Sequence, residues 1–227
     1  LSTNEISEVT IEPATEDEIN ATVKVMGGED WRLWIDAMKE ADVLSDNAVT
    51  VAYSYIGPVL THPIYFDGSI GRAKADLYKT ADEIDEQVDG VSAYVSVNKA
   101  VVTQSSAIPI VPLYLSILLK VMKEKNVHEE CIQQMYRLVH DRLCNPSGVP
   151  VDDKRLIRMD DYEMESEVQQ EVEKIWNEIT PENLTEVADI DEYWKEFYEI
   201  FGFKIDGVDY GMDCDIQVQI PSLDSAE

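Results

Sequence analysis

The amino-acid sequence predicts an α/β fold, with a parallel sheet in its first half and a helix-rich second half. Three observations carry this. The β-branched and aromatic run Val49–Tyr55 is closed by Gly57-Pro58, a helical pattern occupies Ile70–Val88, and a near-continuous Val/Tyr/Ala run fills Val91–Val102. Strand, helix and strand at these lengths make a βαβ unit, and a strand apolar on both faces is covered on both, as parallel strands are. From Ser105 onward the patterns are helical.

The other elements follow in order. Residues 1–13 are polar, with one short alternation, Val9-Thr10-Ile11-Glu12, suited to a strand or an extended arm. Thr15 and Glu18 have the spacing of a capping box, with acids in the positive first turn of a helix. Ile19, Val23 and Met26 would be its inward face, and Gly27-Gly28 its end. A second helix, Glu29–Ala41, carries Trp31, Trp34, Ile35 and Met38 as a core-type stripe. Beyond the βαβ unit, Pro112–Lys125 and Val127–Arg142 read as helices joined at Lys125-Asn126, and Asn145–Val151 as a turn-rich break. Tyr162–Ile179 and Ile190–Phe201 read as amphipathic helices, and Phe203–Tyr210 as a last strand.

Composition narrows the function classes. With 227 residues, 44% of them hydrophobic, the chain can build one large domain or two small ones. Its net charge of −28 repels phosphate backbones and anionic lipid, which argues against nucleic acid and membrane partners. Cys131, Cys144 and Cys214 have neither disulfide-framework nor zinc spacing, and a reducing compartment is expected: the cytoplasm, or the mitochondrion if a transit peptide precedes this chain. His62, His128 and His140 form no ligand pair, so no metal is expected. The apolar run Ala107–Leu119 is too short to span a bilayer and contains two prolines. No glycine-rich phosphate loop occurs, and Leu1 opens abruptly in a polar stretch, as in a piece of a longer protein.

The chemistry concentrates between Thr50 and Lys74. A phenol, with an ordinary pKa of about 10, donates a proton well only where its phenolate is stabilised, and a nearby lysine ammonium does that. Tyr65 and Lys74 are the candidate pair. Tyr65 lies in a loop at the carboxyl end of a strand, where open α/β sheets place ligands, and Lys74 lies one turn into the next helix. Of Tyr53 and Tyr55 at most one is expected to reach the same cleft; Tyr55 is nearer the loop, and from the residues alone reads as readily as a core tyrosine. The strand end Lys99–Ser106 runs into small polar residues that could either meet a ligand or cap a turn. Val111, Leu115 and Leu119 share one helical face, either as core or as the wall of a pocket for an aliphatic chain.

Several long segments carry a resemblance beyond pattern. A-Y-S-Y-I-G-P, P-I-Y-F-D-G-S-I-G-R-A-K, S-V-N-K-A-V-V-T-Q and I-P-I-V-P-L-Y-L, with I-E-P-A-T-E-D-E-I, V-K-V-M-G-G-E-D-W and F-G-F-K-I-D-G-V-D-Y, resemble the family of trans-2-enoyl-CoA reductases and FabV-type enoyl-acyl-carrier-protein reductases. The match runs in order to about Leu223. It implies the C-terminal part of a Rossmann-like, short-chain-dehydrogenase-like parallel sheet with a helical substrate lid, in a monomeric enzyme. Residues 1–104 would complete the core, 105–201 form the lid and C-terminal helices, and 202–227 a final strand and tail.

The resemblance also implies NADH as cofactor and an enoyl-CoA or enoyl-acyl-carrier-protein substrate. Tyr65 matches the proton-donating tyrosine of the family's Tyr-x8-Lys signature and Lys74 its ribose-binding lysine. Tyr55 matches a tyrosine contacting the thioester, Val101, Val102 and Thr103 a segment meeting the nicotinamide, and Val111, Leu115 and Leu119 positions near the acyl chain. The NADH phosphate loop of the family is not in this sequence, so the chain alone is expected to be inactive. Charge leans toward CoA unless Arg72, Lys74, Lys79, Lys120, Lys123 and Lys125 form a basic patch for an acidic carrier protein. The alternative is a non-catalytic relative that acts as a binding module.

Overall fold

A computed structural model describes residues 6–107 and 110–215. Helix α1 (Glu16–Met26) starts as its sequence requires. Thr15 Oγ1 accepts from the Glu18 amide at 3.3 Å, and the Glu18 carboxylate accepts from the Thr15 amide at 2.8 Å. Its expected inward face is not buried: Ile19 and Val23 are half-exposed and Met26 is exposed, because the helix lies mainly along one neighbour, α3 (Ser69–Gln87). Helix α2 (Glu29–Glu40) buries only Ile35 of its stripe. Trp34 is 62% exposed, while the Trp31 indole donates to Thr50 Oγ1 at 2.8 Å and ties α2 to the sheet.

Among the described residues the strands β1 (Ala48–Ser54), β2 (Val91–Val97) and β3 (Leu156–Arg158) form one parallel sheet in that order. The register pairs Ala48 with Val91 through Ser54 with Val97, and Val95 with Leu156 through Val97 with Arg158. The expected βαβ unit is β1-α3-β2. β2 is central, with Val91, Ala93, Val95 and Val97 all buried, which explains its continuous apolar reading.

β2 ends at Val97 rather than at Val102. There the Asn98 amide turns to donate to the Ser54 carbonyl at 2.8 Å, and the amides of Met159 and Asp160 close on the Val97 carbonyl at 2.9 and 3.1 Å. β3 was not expected from the sequence.

The second half is helical: α4 (Val111–Glu124), α5 (Cys131–Arg137) running into one π turn (Leu138–Leu143), α6 (Ser166–Glu178), α7 (Leu184–Val187) and α8 (Ile190–Glu199). The helix expected over Val127–Arg142 starts only at Cys131, where Glu130 and Gln133 form a capping box. α4 packs against α6 and α8, and is buried almost all round. The strand expected over Phe203–Tyr210 is absent: the segment is a chain of exposed turns, because Gly202, Lys204 and Gly207 take positive φ values of 78°, 63° and 83°. Val9–Glu12 is irregular and exposed.

Two apolar clusters dominate the core. One lies between the sheet and α2 and α3, around Ile35, Leu77, Ile84 and Val95. The other surrounds α4, with Tyr114, Leu118, Met122, Val168, Val172 and Tyr193. Leu60, Tyr65 and Ala100 border this second cluster from the loops leaving the sheet, so the candidate site lies where sheet ends and helices meet. No described helix is long and apolar enough to cross a membrane.

Candidate active site

β1 and β2 end side by side, paired at Ser54 and Val97, and the segments leaving them carry the candidate groups. After Tyr55 the chain turns through Gly57, whose φ of +72° an L side chain rarely adopts, and through a short turn at Val59–Thr61 closed by the Thr61 hydroxyl donating to the Pro58 carbonyl at 3.0 Å. It then reaches Tyr65 and enters α3. Gly71 is required there: a Cβ would stand 1.9 Å from the Phe66 carbonyl oxygen and 2.7 Å from that of Tyr65. This close approach lets the first turn of α3 support the Tyr65 loop.

Tyr55 and Tyr65 come together. Their rings meet edge to face, with centroids 5.0 Å apart and planes at 81°. Tyr53 instead points away, 56% exposed. Its carbonyl accepts a 3.0 Å hydrogen bond from Lys74 Nζ, which fixes the ammonium at the carboxyl end of β1.

Burial, and then the charge of Glu163, push the Tyr65 phenol above its ordinary value. The expected lowering of Tyr65 is not seen: the shift is upward, with burial as its largest cause. Burial pushes the Lys74 ammonium down.

The segment after β2 is held from several sides. Lys99 is buried, its Nζ donating to the Ala100 carbonyl at 2.8 Å and its amide donating to Gln134 Oε1 at 2.8 Å. Val101 and Thr103 are half-exposed and Val102 is buried. The Thr103 amide donates to Ser106 Oγ at 2.8 Å, and that hydroxyl donates back to the Thr103 carbonyl at 2.6 Å, so Ser106 caps a local turn. Val111, Leu115 and Leu119 lie inside the α4 core, at 5%, 1% and 1% exposure.

Sequence reasoning missed the carboxylate at the centre. Glu163, in the loop after β3, is fully buried. Its Oε1 accepts from the hydroxyls of Tyr55 at 2.9 Å and Tyr114 at 2.6 Å, and its Oε2 accepts from the Ala100 amide at 2.6 Å. Burial pushes its carboxyl up, against the hydrogen bonds from Tyr114 and Ala100 and the nearby Lys99 charge. Tyr55 and Tyr114 are driven well above the ordinary tyrosine value by burial and by Glu163. In D-D-Y-E-M-E the carboxylate reads as one of a solvated acidic run; the interleaved Tyr162 and Met164 are the only local signal otherwise.

The basic patch weighed for a carrier protein is largely neutralised. Lys79 pairs with Glu83 at 3.0 Å, Lys120 with Glu124 at 3.8 Å, Lys123 with Glu192 at 2.6 Å and Lys125 with Glu167 at 3.5 Å. Chemically, the site offers a neutral phenol, an ammonium and a polar strand end beside an apolar helix, a set able to meet an anion developing on a substrate oxygen.

The family model described as the trans-2-enoyl-CoA reductase catalytic region matches residues 1–144, and one described as an enoyl reductase FAD binding domain matches 151–214. A trans-2-enoyl-CoA reductase [NADH] of Ruminiclostridium cellulolyticum is 55% identical over 96% of this chain and 56% of its own length. An enoyl-[acyl-carrier-protein] reductase [NADH] of Coxiella burnetii is 50% identical over 98% of this chain and 56% of its own. The crystal structure of Treponema denticola trans-2-enoyl-CoA reductase in complex with NAD superposes with a TM-score of 0.90 at 43% identity, covering 93% of this chain and 54% of that one. The chain thus spans a little over half the length of the curated relatives it matches.

Within residues 151–214 no described helix starts on a glycine that could cradle a flavin pyrophosphate. A pyrophosphate needs uncommitted cations or a glycine-cradled helix start. Here Arg155 is engaged by Asp82 and Asp85 and Arg158 by Asp152 and Asp160, while Gly202, Gly207 and Gly211 lie in exposed turns. The matched catalytic region, the identity along almost the whole chain and the common fold together establish that this chain belongs to the trans-2-enoyl-CoA reductase family.

Proposed function

We propose that the protein to which this chain contributes reduces the 2,3 double bond of trans-2-enoyl thioesters, carried by CoA or acyl carrier protein, with NADH. The observation that carries the proposal is the placement of Tyr65 at the carboxyl end of the sheet, packed on Tyr55 and against the apolar α4 cluster, with the Lys74 ammonium held at the Tyr53 carbonyl of the same strand end. Residues 1–104 are read as the second part of a Rossmann-like core and 105–201 as a helical substrate lid with the C-terminal helices.

NADH, when bound, supplies the hydride to the β-carbon. Charge then develops on the thioester oxygen, and Tyr65 donates a hydrogen bond to it and supplies the proton. Lys74, at the end of β1, holds the ribose, and Val101, Val102 and Thr103 line the nicotinamide. Tyr55 contacts the thioester carbonyl region. Val111, Leu115 and Leu119, buried in the α4 core, are read as the packing behind the acyl-chain region rather than as its exposed wall. The neutralised lysines on α3 and α4 favour CoA over an acidic carrier protein.

The retained pair of Tyr65 and Lys74 supports an enzyme over a binding module. Incubation of the full-length protein with NADH and crotonyl-CoA tests this: the saturated acyl-CoA is the expected product, and unchanged substrate across a series of enoyl thioesters overturns the proposal.

A further inference from the structure

The site contains three phenols, and two have committed their protons. Tyr55, beyond β1, and Tyr114, on α4, both donate to Glu163 Oε1, while Glu163 Oε2 holds the Ala100 amide next to the segment facing the nicotinamide. The Glu163 backbone carbonyl in turn accepts from Gln169 Nε2 on α6 at 2.6 Å, which ties the backbone that carries the carboxylate to the helical half. Tyr65 touches Tyr55 edge to face, and among the described residues its hydroxyl has no hydrogen-bond partner.

We propose that Glu163 is a positioning residue for the reduction. By capturing the protons of Tyr55 and Tyr114 and the amide of Ala100, it leaves Tyr65 as the phenol with a free proton and holds it in register with the cofactor-facing segment. This rests on the enoyl-reductase reading above. A hydroxyl carries one proton, so while Tyr55 donates to Glu163 it meets a thioester only as an acceptor or an apolar edge. One carboxylate thereby ties the end of β1, the loop after β2 and α4 together, three elements that no local sequence pattern links. A buried carboxylate persists only with its hydrogen bonds made, so the three donors are needed together.

The ionisable groups facing Glu163 are Tyr55, Tyr65, Tyr114 and Lys99. The negative charge of Glu163 opposes ionisation of Tyr65. Its neutral isostere should therefore let Tyr65 lose its proton at lower pH.

The test uses the full-length protein, first shown to reduce crotonyl-CoA; an inactive wild type would defeat the enoyl-reductase reading itself, before any variant is made. E163Q, with an unchanged circular dichroism spectrum, is expected to lose kcat on the order of tenfold or more. The alkaline limb of its pH profile should also move to lower pH. Y114F removes one oxygen and leaves the carboxylate two partners, so it serves if E163Q does not fold; a several-fold loss of kcat is expected. Wild-type kcat in whichever of the two folds overturns the proposal. So does a loss in E163Q with the alkaline limb unmoved, which would make Glu163 part of the framework only.

Discussion

The rings of Tyr55 and Tyr65 meet edge to face with 5.0 Å between centroids, a contact that joins two residues ten positions apart across a glycine- and proline-bent loop. Tyr55 is fixed by Glu163, so the contact passes that fixity to Tyr65. The first consequence concerns Tyr65 itself. Tyr65→Phe keeps the ring contact and removes the proton, so turnover of the full-length enzyme should fall by a factor on the order of a hundred or more, with little change in melting temperature. Steady-state kinetics beside a thermal melt check this, and wild-type turnover would remove Tyr65 from the mechanism.

Gly71 places a second constraint on the same loop. An added methyl would meet the carbonyl oxygens of Phe66 and Tyr65 at 1.9 and 2.7 Å, and backbone cannot move aside as a flexible side chain can. Gly71→Ala should shift the Tyr65 loop by a fraction of an ångström or more and cut kcat/KM on the order of tenfold to a hundredfold. Wild-type kinetics in the alanine variant would show that the loop tolerates the shift.

Stability should weaken in alkali, and the sign follows from burial. Tyr55 and Tyr114 have folded-state values well above the ordinary tyrosine value. Above about pH 10 the unfolded chain loses these protons while the folded chain retains them, so stability is full below that pH and declines as it rises further. Tyr114→Phe removes one of the two groups. Its denaturant midpoint should change less than that of the wild type between about pH 9 and pH 11; an equal or steeper change would contradict the assignment.

The sequence made the βαβ unit legible because β1 and β2 are β-branched and aromatic runs on either side of the helical period of α3, and the Thr15–Glu18 cap because it is a local pattern. It did not reveal β3, since three residues are too few to show a period, and it overextended β2 because Val101 and Val102 remain apolar after the chain has left the sheet. The exposed turns of 203–210 alternate like a strand, but the alternation carries no burial. Ile19, Val23 and Trp34 have the spacing of a core face, and only the packing could show that little covers them here.

In the candidate site, Tyr65, Lys74 and Tyr55 were legible because they are close in sequence and flank one strand end. Glu163 was not, because its partners Tyr55, Ala100 and Tyr114 lie 108, 63 and 49 positions away. A charge in an acidic run looks solvated until the fold brings donors to it. The upward shift of Tyr65 was not legible for a similar reason, since the burial and the Glu163 charge that cause it are visible only in three dimensions.

The central claim is hydride addition to the β-carbon with proton delivery from the protein side. It is tested most directly by incubating the full-length enzyme and crotonyl-CoA with NADH deuterated at the transferable position of its nicotinamide, and locating the label in the product by NMR. The account predicts one deuterium at the β-carbon and a solvent-derived proton at the α-carbon. Deuterium at the α-carbon, or no saturated product at all, would contradict it.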